Sequence, residues 1–272
     1  MSKINGETQL IGFFGSTYRT SKMYAMYNAA FEALQLNYVY IPLIVGDLAQ
    51  AVEGVRQLGI KAVGVTIPYK VAVLPYLDEL DDDARRIGAV NAIINSAGRL
   101  LGANTDGKGA LKALEEVTAI SGKKVVLLGA GGAARAITFA LIDAGAEIVI
   151  LNRTEEAARV LAKAAQTRAG SFAMLEQEIQ DASVVINATP VGMTPNERES
   201  PVKSGLLSSE MVVMDIVSAP KETLLLREAK ARGCKIVYGE RMLFWQGALK
   251  FKLYTGLEPP VEVMEKALSR FH

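Results

Sequence analysis

Short apolar runs rich in β-branched residues alternate along the chain with longer segments of helical period. In the first part of the chain, the apolar runs predict strands at 8–14, 37–43, 61–66 and 89–95. The segments of helical period predict helices near 21–35, 47–58, 69–77 and 105–117. Such alternation indicates a mostly parallel sheet covered by helices.

The pattern restarts after "EEVTAISGKK". VVLLGAG at 125–131 predicts a buried strand that runs into glycines, residues 132–144 an alanine-rich helix, and EIVILNR at 147–153 a second strand, which together form a βαβ unit. Three more strands are predicted at 183–189, 211–217 and 235–239, and the end of the chain is predicted helical with an interruption at Glu258-Pro259-Pro260. The expected fold is α/β, with an N-terminal α/β domain and a Rossmann-type doubly wound parallel sheet.

Length and charge set limits on the partners of the chain. The 272 residues are enough for two domains, and a formal net charge of +1 provides no field to attract nucleic acid or a membrane surface. No apolar run approaches the roughly 20 residues that span a bilayer. The single cysteine, Cys234, fits a reducing compartment, so we expect a cytoplasmic protein, either monomer or homodimer.

The scarcity of histidine narrows the chemistry. Because the only histidine is His272, neither a Ser-His-Asp triad nor a histidine-rich metal site is expected. Acid–base chemistry near neutral pH must then use lysine, tyrosine, a carboxylate or a cofactor. Lys70 lies inside the apolar stretch VGVTIPYKVAV at 63–73, where it is either a surface lysine with its stem along apolar surface or a catalytic group.

A glycine pattern follows the strand at 125–131. Gly129, Gly131 and Ala134 fit G-x-G-x-x-A between a strand and a helix, where backbone N–H groups receive a pyrophosphate. The strand–turn–helix context favours dinucleotide binding over a purely structural turn.

The end of the next strand bears on which dinucleotide is bound. NAD-preferring proteins usually carry Asp or Glu there, whereas this chain has Asn152-Arg153-Thr154, in which an arginine and a hydroxyl suit the 2′-phosphate of NADP. The alternative is that Arg153 and Thr154 only end a strand and cap the next helix.

Polar residues also interrupt apolar surroundings near the carboxyl ends of predicted strands, at Thr66, Asn91 and Asn104-Thr105-Asp106. Open α/β sheets bind ligands at these ends, so the side chains are expected to share one crevice. Asp106 is either an ordinary N-cap of the following helix or, together with Lys70, half of an acid–base pair.

Taken together, the motifs resemble the shikimate dehydrogenase family over nearly the whole chain. They are V-T-I-P-Y-K at 65–70, AVNAI at 89–93, NTDG at 104–107, GAGGAAR at 129–135, NRT at 152–154, NATPVGM at 187–193 and GERMLFWQGALKF at 239–251. The resemblance implies a substrate-binding domain at 1–106, completed by helices at 240–272, and an NADP-binding domain at 107–239. It also implies catalysis in the cleft between them, by hydride transfer between 3-dehydroshikimate and shikimate.

The resemblance further implies roles for individual residues. Lys70 matches the catalytic lysine and Asp106 its paired aspartate, while Thr66, Asn91 and Gln246 match residues that hold substrate hydroxyls. Across the cofactor motifs, contacts with NADP are expected at Gly129, Ala130, Gly131, Gly132, Ala133, Asn152, Arg153, Thr154, Thr189, Ile216 and Gly239.

The chain departs from the family where the substrate carboxylate is bound. In "GSTYRTSKMY" at 15–24 Ser21 is kept, but Met23 stands at the position of a second serine, and Ser218 replaces a tyrosine. The substrate is then shikimate bound more weakly, or held through Arg19, Thr20, Tyr24 or Ser218, or else quinate or another cyclic polyol. A non-catalytic dinucleotide-binding regulator is the alternative from another class.

Overall fold

The computed structural model describes residues 4–17 and 21–270. The chain divides into two compact units, Met1–Thr105 with Gly247–His272, and Asp106–Gln246. The first unit is therefore discontinuous in sequence and the second is inserted into it. No helix in the described ranges is long and apolar enough to cross a lipid bilayer.

Within its described residues, the first unit contains a mixed sheet in the order β2-β1-β3-β5-β6-β4. The strands are β1 (Gln9–Gly15), β2 (Tyr38–Ile44), β3 (Ala62–Val65), β4 (Glu79–Leu80), β5 (Ala92–Ser96) and β6 (Arg99–Ala103). Strands β1, β2 and β3 are parallel, but β5 runs antiparallel to both β3 and β6. Since β4 also pairs with β6 in parallel, three of the five pairings are parallel, as a mostly parallel sheet requires, but the two antiparallel pairings of β5 were not predicted.

The reversal depends on a two-residue turn that the residue pattern did not reveal. Ala97 and Gly98 join β5 to β6 and both have positive φ, 51° and 88°. Such turns usually carry Asn-Gly or Asp-Gly, and this chain has Ala-Gly. The Asn95 side chain stabilises the turn by accepting a hydrogen bond from Gly98 N at 2.8 Å.

The helices of the chain cover both sheets. They are α1 (Lys22–Ala33), α2 (Leu48–Gln57), α3 (Tyr69–Ala72), α4 (Asp82–Ile87), α5 (Asp106–Glu115), α6 (Gly132–Asp143), α7 (Glu155–Ala165), α8 (Leu175–Glu178), α9 (Leu224–Ala231), α10 (Gly239–Thr255) and α11 (Val261–Ser269). The helix predicted at 69–77 is shorter than expected: α3 is followed by a 3-10 turn at Leu74–Tyr76, where Pro75 has no N–H to donate.

Aromatic side chains form much of the core of the first unit. The Tyr27 ring of α1 lies 4.5 Å from the tilted ring of Tyr40 of β2 and stacks on Phe251 of α10 at 6.4 Å, measured between ring centroids. The Tyr27 hydroxyl donates to the Gly247 carbonyl at 2.9 Å. The end of the chain is therefore packed into the core of its beginning.

The second unit contains a fully parallel sheet in the order β12-β11-β10-β7-β8-β9. Its strands are β7 (Lys124–Leu128), β8 (Glu147–Asn152), β9 (Arg168–Ser171), β10 (Val184–Asn187), β11 (Val212–Asp215) and β12 (Lys235–Tyr238). This is the doubly wound order of dinucleotide-binding sheets, in which ligands bind where the order reverses, between the carboxyl ends of β7 and β10. The predicted Rossmann-type sheet is confirmed, with β9 as an additional strand.

A buried carboxylate ties together one edge of this sheet. Glu178 is only 2% exposed and forms ion pairs with two basic residues at the starts of strands. Its Oε2 lies 3.0 Å from Lys124 Nζ at the start of β7, and its Oε1 pairs with Arg168 at the start of β9. Burial disfavours the charged carboxylate, but the hydrogen bonds from Lys124 and Arg168 outweigh it and hold the pKa of Glu178 below its usual value.

Replacing this carboxylate should reduce stability in a pH-dependent way. Because the pKa of Glu178 is lower in the folded state, its contribution is complete above the unfolded pKa, about 4.3, and is lost as the pH falls through the folded value. We expect Glu178→Gln to lower the free energy of unfolding by about 1 to 3 kcal/mol at pH 7. Urea unfolding of both proteins at pH 7 and pH 4 measures this, and the difference should shrink at pH 4. Glu176→Gln, at an exposed pair with Lys203, is the matched control; equal losses in both variants would contradict the expectation.

Candidate active site

Backbone hydrogen bonds gather Thr66, Lys70 and Asn91 at the carboxyl end of β3. Tyr69 N donates to the Thr66 carbonyl at 2.8 Å, which begins the turn into α3. Val90 N donates to the Lys70 carbonyl at 2.8 Å, and Val65 N donates to the Asn91 carbonyl at 2.9 Å. Lys70 is therefore fixed at its backbone beside the segment that carries Asn91.

The Asn91 side chain is buried and bonded to the end of the segment after β6. Its Nδ2 donates to Thr105 Oγ1 at 3.1 Å, and its Oδ1 accepts from Thr105 N at 3.1 Å. Asn104 Nδ2 donates to the Ala89 carbonyl at 2.9 Å. Asp106 follows Thr105 directly in the chain and is the first residue of α5, so it is not the capping residue before the helix.

The start of α1 contains the residues at which the chain departs from the family pattern. Ser21 is the N-cap, and its Oγ accepts from Met23 N at 3.3 Å. Met23 is 3% exposed and packs on Gly247, where an added methyl group would lie 3.0 Å from the Met23 sulfur. Tyr24 instead lines a shallow depression that also includes Thr66. Arg19 and Thr20, the other candidates for the carboxylate, lie outside the described residues, as does His272.

Gln246 is buried on α10, where α5 approaches it very closely. A methyl group added at Gly109 of α5 would lie 2.7 Å from Gln246 N. The helix that begins with Asp106 and the helix that carries Gln246 are thus in backbone contact within the second unit.

The glycine turn after β7 has the geometry that a pyrophosphate requires. Gly129 has a φ of +111°, and a side chain there would lie 2.7 Å from the Ala188 carbonyl, so only glycine fits. Gly131 and Gly132 are exposed with nothing within 4 Å of an added methyl group. Their backbone N–H groups stand at the start of α6, between the half-buried Ala130 and Ala133. The turn leaves an open cradle at a helix N-terminus, which fits a dinucleotide phosphate.

At the end of β8, Arg153 and Thr154 are exposed. Asn152 Nδ2 donates to the Thr154 carbonyl at 2.9 Å and shapes the turn. Thr154 precedes α7, yet its side chain makes no capping hydrogen bond, which removes the main support for a purely structural role. Arg159, one turn into α7, donates from Nη2 to Glu155 at 2.6 Å.

A buried polar network joins the loops that follow β10 and β11, and the residue pattern did not predict it. Asn187 Nδ2 donates to Asp215 Oδ1 at 3.1 Å, and the same oxygen accepts from Val217 N at 3.0 Å. Thr223 Oγ1 donates to Asp215 Oδ2 at 2.7 Å, while Asn187 Oδ1 accepts from Thr189 Oγ1 at 2.7 Å. The signal was present, since an aspartate inside the apolar run VVMDIV has to find partners.

Asp215 is fully buried, and no described lysine or arginine forms an ion pair with it. Burial raises the pKa of its carboxyl, although the hydrogen bonds from Thr223, Val217 and Asn187 oppose the increase. The carboxylate therefore acts as an acceptor that organises neighbouring loops. Those loops contain Thr189, Ile216 and the exposed Ser218.

Gly239, the first residue of α10, packs against the same loop. A methyl group there would lie 2.6 Å from the carbonyls of both Ile216 and Val217. The structure thus brings Ile216, Gly239 and Ser218 to the carboxyl end of β11, near the loop of Thr189.

A doubly wound sheet with an open glycine turn defines a dinucleotide-binding unit. The other unit is α/β and carries Lys70, whose backbone is bonded beside the segment of Asn91, so the chain is a two-unit dinucleotide-binding α/β protein. Family models agree in order along the chain. They are the shikimate dehydrogenase substrate binding domain at 13–93, shikimate / quinate 5-dehydrogenase at 111–223, and the shikimate 5'-dehydrogenase C-terminal domain at 239–268.

Similar proteins cover almost the whole chain. The shikimate dehydrogenase (NADP(+)) of Carboxydothermus hydrogenoformans is 43% identical over 275 residues, covering 98% of each chain. A solved shikimate dehydrogenase in complex with NADP+ is 42% identical with a TM-score of 0.92, covering 98% of this chain and 97% of that one. The ligand-free 5-ketofructose reductase of Gluconobacter sp. strain CHM43 is 34% identical with a TM-score of 0.88, covering 98% and 100%. The chain belongs to the shikimate dehydrogenase family.

Removing the buried carboxylate should loosen the loops after β10 and β11. In Asp215→Ala, the amide of Asn187, the N–H of Val217 and the hydroxyl of Thr223 lose their acceptor, so we expect a loss of at least about 2 kcal/mol in unfolding free energy. Asp215→Asn keeps the shape and one acceptor oxygen and should lose less. Chemical unfolding followed by circular dichroism compares the two variants. Equal losses in the two variants would contradict this expectation.

Proposed function

We propose that the protein is an NADP-dependent shikimate dehydrogenase, which interconverts shikimate and 3-dehydroshikimate. The observation that carries the proposal is Lys70, held by backbone hydrogen bonds beside the bonded pair Asn91–Thr105, in a chain that also has an open glycine turn at the switch point of a doubly wound sheet. Relatives that match almost the whole chain and are named shikimate dehydrogenase (NADP(+)) support the same activity.

Each unit has a separate part in this proposal. The first unit is assigned to the cyclic hydroxy acid through Thr66 and Asn91, because amide and hydroxyl groups pair with ring hydroxyls. Gln246, which belongs to the second unit, is assigned to the same substrate from the family pattern alone. The second unit binds NADP, with the pyrophosphate on the N–H groups of Gly131 and Gly132 and the 2′-phosphate near Arg153 and Thr154. Thr189, Ile216 and Gly239 then border the remainder of the cofactor.

The protein's own residues supply the proton chemistry. When bound, NADP accepts or provides the hydride. In the reductive direction, the Lys70 ammonium donates a proton to the ketone oxygen as negative charge develops on it. In the oxidative direction, neutral Lys70 Nζ accepts the proton of the substrate hydroxyl. Asp106 is assigned as its charged partner, since it directly follows Thr105, which is bonded to Asn91.

A second candidate substrate is quinate or another cyclic polyol. Met23 offers no hydrogen-bond donor and is packed against Gly247, and Ser21 Oγ already accepts from the α1 backbone. Ser218 in place of a tyrosine changes a further expected contact with the carboxylate. A chain with fewer carboxylate contacts should discriminate less strongly between shikimate and substrates that differ at that group.

The test is the initial rate of NADP⁺ reduction with shikimate, with quinate in parallel. We expect turnover of shikimate, and we expect Lys70→Ala to reduce kcat by about 10²- to 10⁴-fold because a general acid–base is lost. NADPH affinity, measured by fluorescence titration, should not change.

The control is Lys252→Ala, because the exposed Lys252 of α10 forms a surface ion pair with the exposed Glu258 in the loop that follows. Full activity of Lys70→Ala would refute the catalytic role of Lys70. No turnover of shikimate by a protein that binds NADPH would refute the proposed activity and favour the second candidate if quinate or a polyol is oxidised.

Cofactor preference should depend on Arg153. Loss of one charge-assisted contact to the 2′-phosphate is worth about 1.5 to 3 kcal/mol, so Arg153→Ala should raise the KM for NADP⁺ by roughly 10-fold or more and leave that for NAD⁺ unchanged. Arg159→Ala is the matched control, since its guanidinium is engaged with Glu155. If Arg153→Ala raised the KM for NADP⁺ and the KM for NAD⁺ by the same factor, the Arg153 side chain would not contact the 2′-phosphate.

A further inference from the structure

The first turn of α5 contains two glycines, Gly107 and Gly109, and the backbone of another helix fills the space that a side chain would take at each. At Gly107, an added methyl group would lie 2.1 Å from the Ala136 carbonyl oxygen and 2.7 Å from its carbon, within α6. At Gly109, it would lie 2.7 Å from Gln246 N and 2.9 Å from its Cα, within α10. Because backbone has no rotamer by which to move aside, each contact requires glycine.

The two contacts lie on opposite sides of α5. Positions two residues apart on an α-helix differ by about 200° around its axis. Gly107 therefore faces α6, whose first turn forms the phosphate cradle, and Gly109 faces α10 at Gln246. Asp106 immediately precedes this pair as the first residue of α5.

A second attachment between α5 and α10 lies at the other end of α5. Glu116 accepts from Trp245 Nε1 at 2.7 Å and from Arg241 Nε at 2.9 Å. Lys112 Nζ lies 5.2 Å above the Trp245 ring. Gln246, next to Trp245, is thus positioned from α5 both by close packing at Gly109 and by the Glu116 carboxylate.

We propose that Gly107 and Gly109 are positioning residues with separate duties: Gly107 fixes Asp106 relative to the cofactor helix α6, and Gly109 fixes Asp106 relative to Gln246. The inference rests on the proposed function, because it assigns the cofactor to the start of α6 and the substrate to Gln246. Its consequence is that two substitutions two residues apart affect two different ligands.

The test compares Gly107→Ala with Gly109→Ala. Displacing a binding group by a fraction of an ångström to 1 Å costs up to about 100-fold. We expect Gly107→Ala to raise the Kd for NADPH by about tenfold or more, with a smaller effect on the KM for shikimate. Gly109→Ala should raise the KM for shikimate and lower kcat by about tenfold or more, with the Kd for NADPH nearly unchanged. A purely structural role would change both ligands in parallel in both variants, and that result would overturn the proposal.

Two further variants complete the design. Gly54→Ala in α2 has nothing within 4 Å of the added methyl group and should leave both ligands unaffected. Glu116 is more exposed than Gly109, and Glu116→Gln loosens the second attachment between α5 and α10 without adding volume. This variant therefore remains informative if Gly109→Ala does not fold. It should raise the KM for shikimate and leave the Kd for NADPH unchanged; the opposite pattern would contradict the proposal.

The single tryptophan separates this inference from the proposed function. If the wild-type protein does not turn over shikimate, the proposed activity fails, but two measurements still decide the inference. Gly107→Ala must weaken NADPH binding. Gly109→Ala must shift the fluorescence emission of Trp245 and leave NADPH binding unchanged. NADPH binding that is equal in wild type and Gly107→Ala would overturn the inference.

Discussion

The carboxylate of Asp215 is buried where two parallel strands end together, and the ligand-binding edge of the second sheet depends on it. The regular pairing of β10 with β11 ends at Asn187 and Asp215, so much of the loop backbone beyond them needs another source of acceptors and donors. Asp215 accepts from Asn187, Val217 and Thr223 without a cation beside it among the described side chains. One charged group thus fixes two loops and the start of α9, and the residues assigned to the cofactor lie on those loops.

Around this edge, side-chain size determines how closely the helices approach. Gly107 and Gly109 allow α5 to contact α6 and α10 through backbone, and Gly239 allows α10 to begin against the carbonyls of Ile216 and Val217. Close packing of this kind does not tolerate larger side chains, because an extra methyl group displaces a whole helix. The positions of the chemical groups in the candidate site therefore depend on these glycines, which let the helices approach one another closely.

Prediction from the sequence succeeded where one physical signal dominates. Strands β7, β8, β10, β11 and β12 are continuous apolar runs because both faces of a parallel sheet are covered, and the turn at Gly129 follows from the strand that precedes it. Prediction failed for β9, whose residues Arg168–Ser171 have little apolar character and pair only with β8. It also failed for the turn at Ala97-Gly98, where a local hydrogen bond from Gly98 N to the Asn95 side chain compensates for weak turn chemistry.

For the candidate site, spacing placed Thr66, Asn91 and Thr105 in one crevice, because strand ends share an edge. The structure joins the Asn91 and Thr105 side chains by hydrogen bonds and bonds the Lys70 carbonyl to the neighbouring Val90 N–H, while a substrate crevice shared by these residues stays a prediction. The N-cap of α1 was not foreseen: Ser21 Oγ serves the helix, and Met23 is buried against Gly247. The contact of Met23 with Gly247 joins residues more than two hundred positions apart, which no local pattern of residues reveals.

The discontinuity of the first unit has a consequence for synthesis on the ribosome. Tyr27 needs the Gly247 carbonyl and the Phe251 ring to complete its surroundings, so the core of the first unit stays open until residues 247–251 have emerged. The inserted second unit has all of its strands by residue 238 and is continuous in sequence. Since domains generally fold as units during translation, the inserted unit should reach its native state first. The unit that begins the chain is then the last to close.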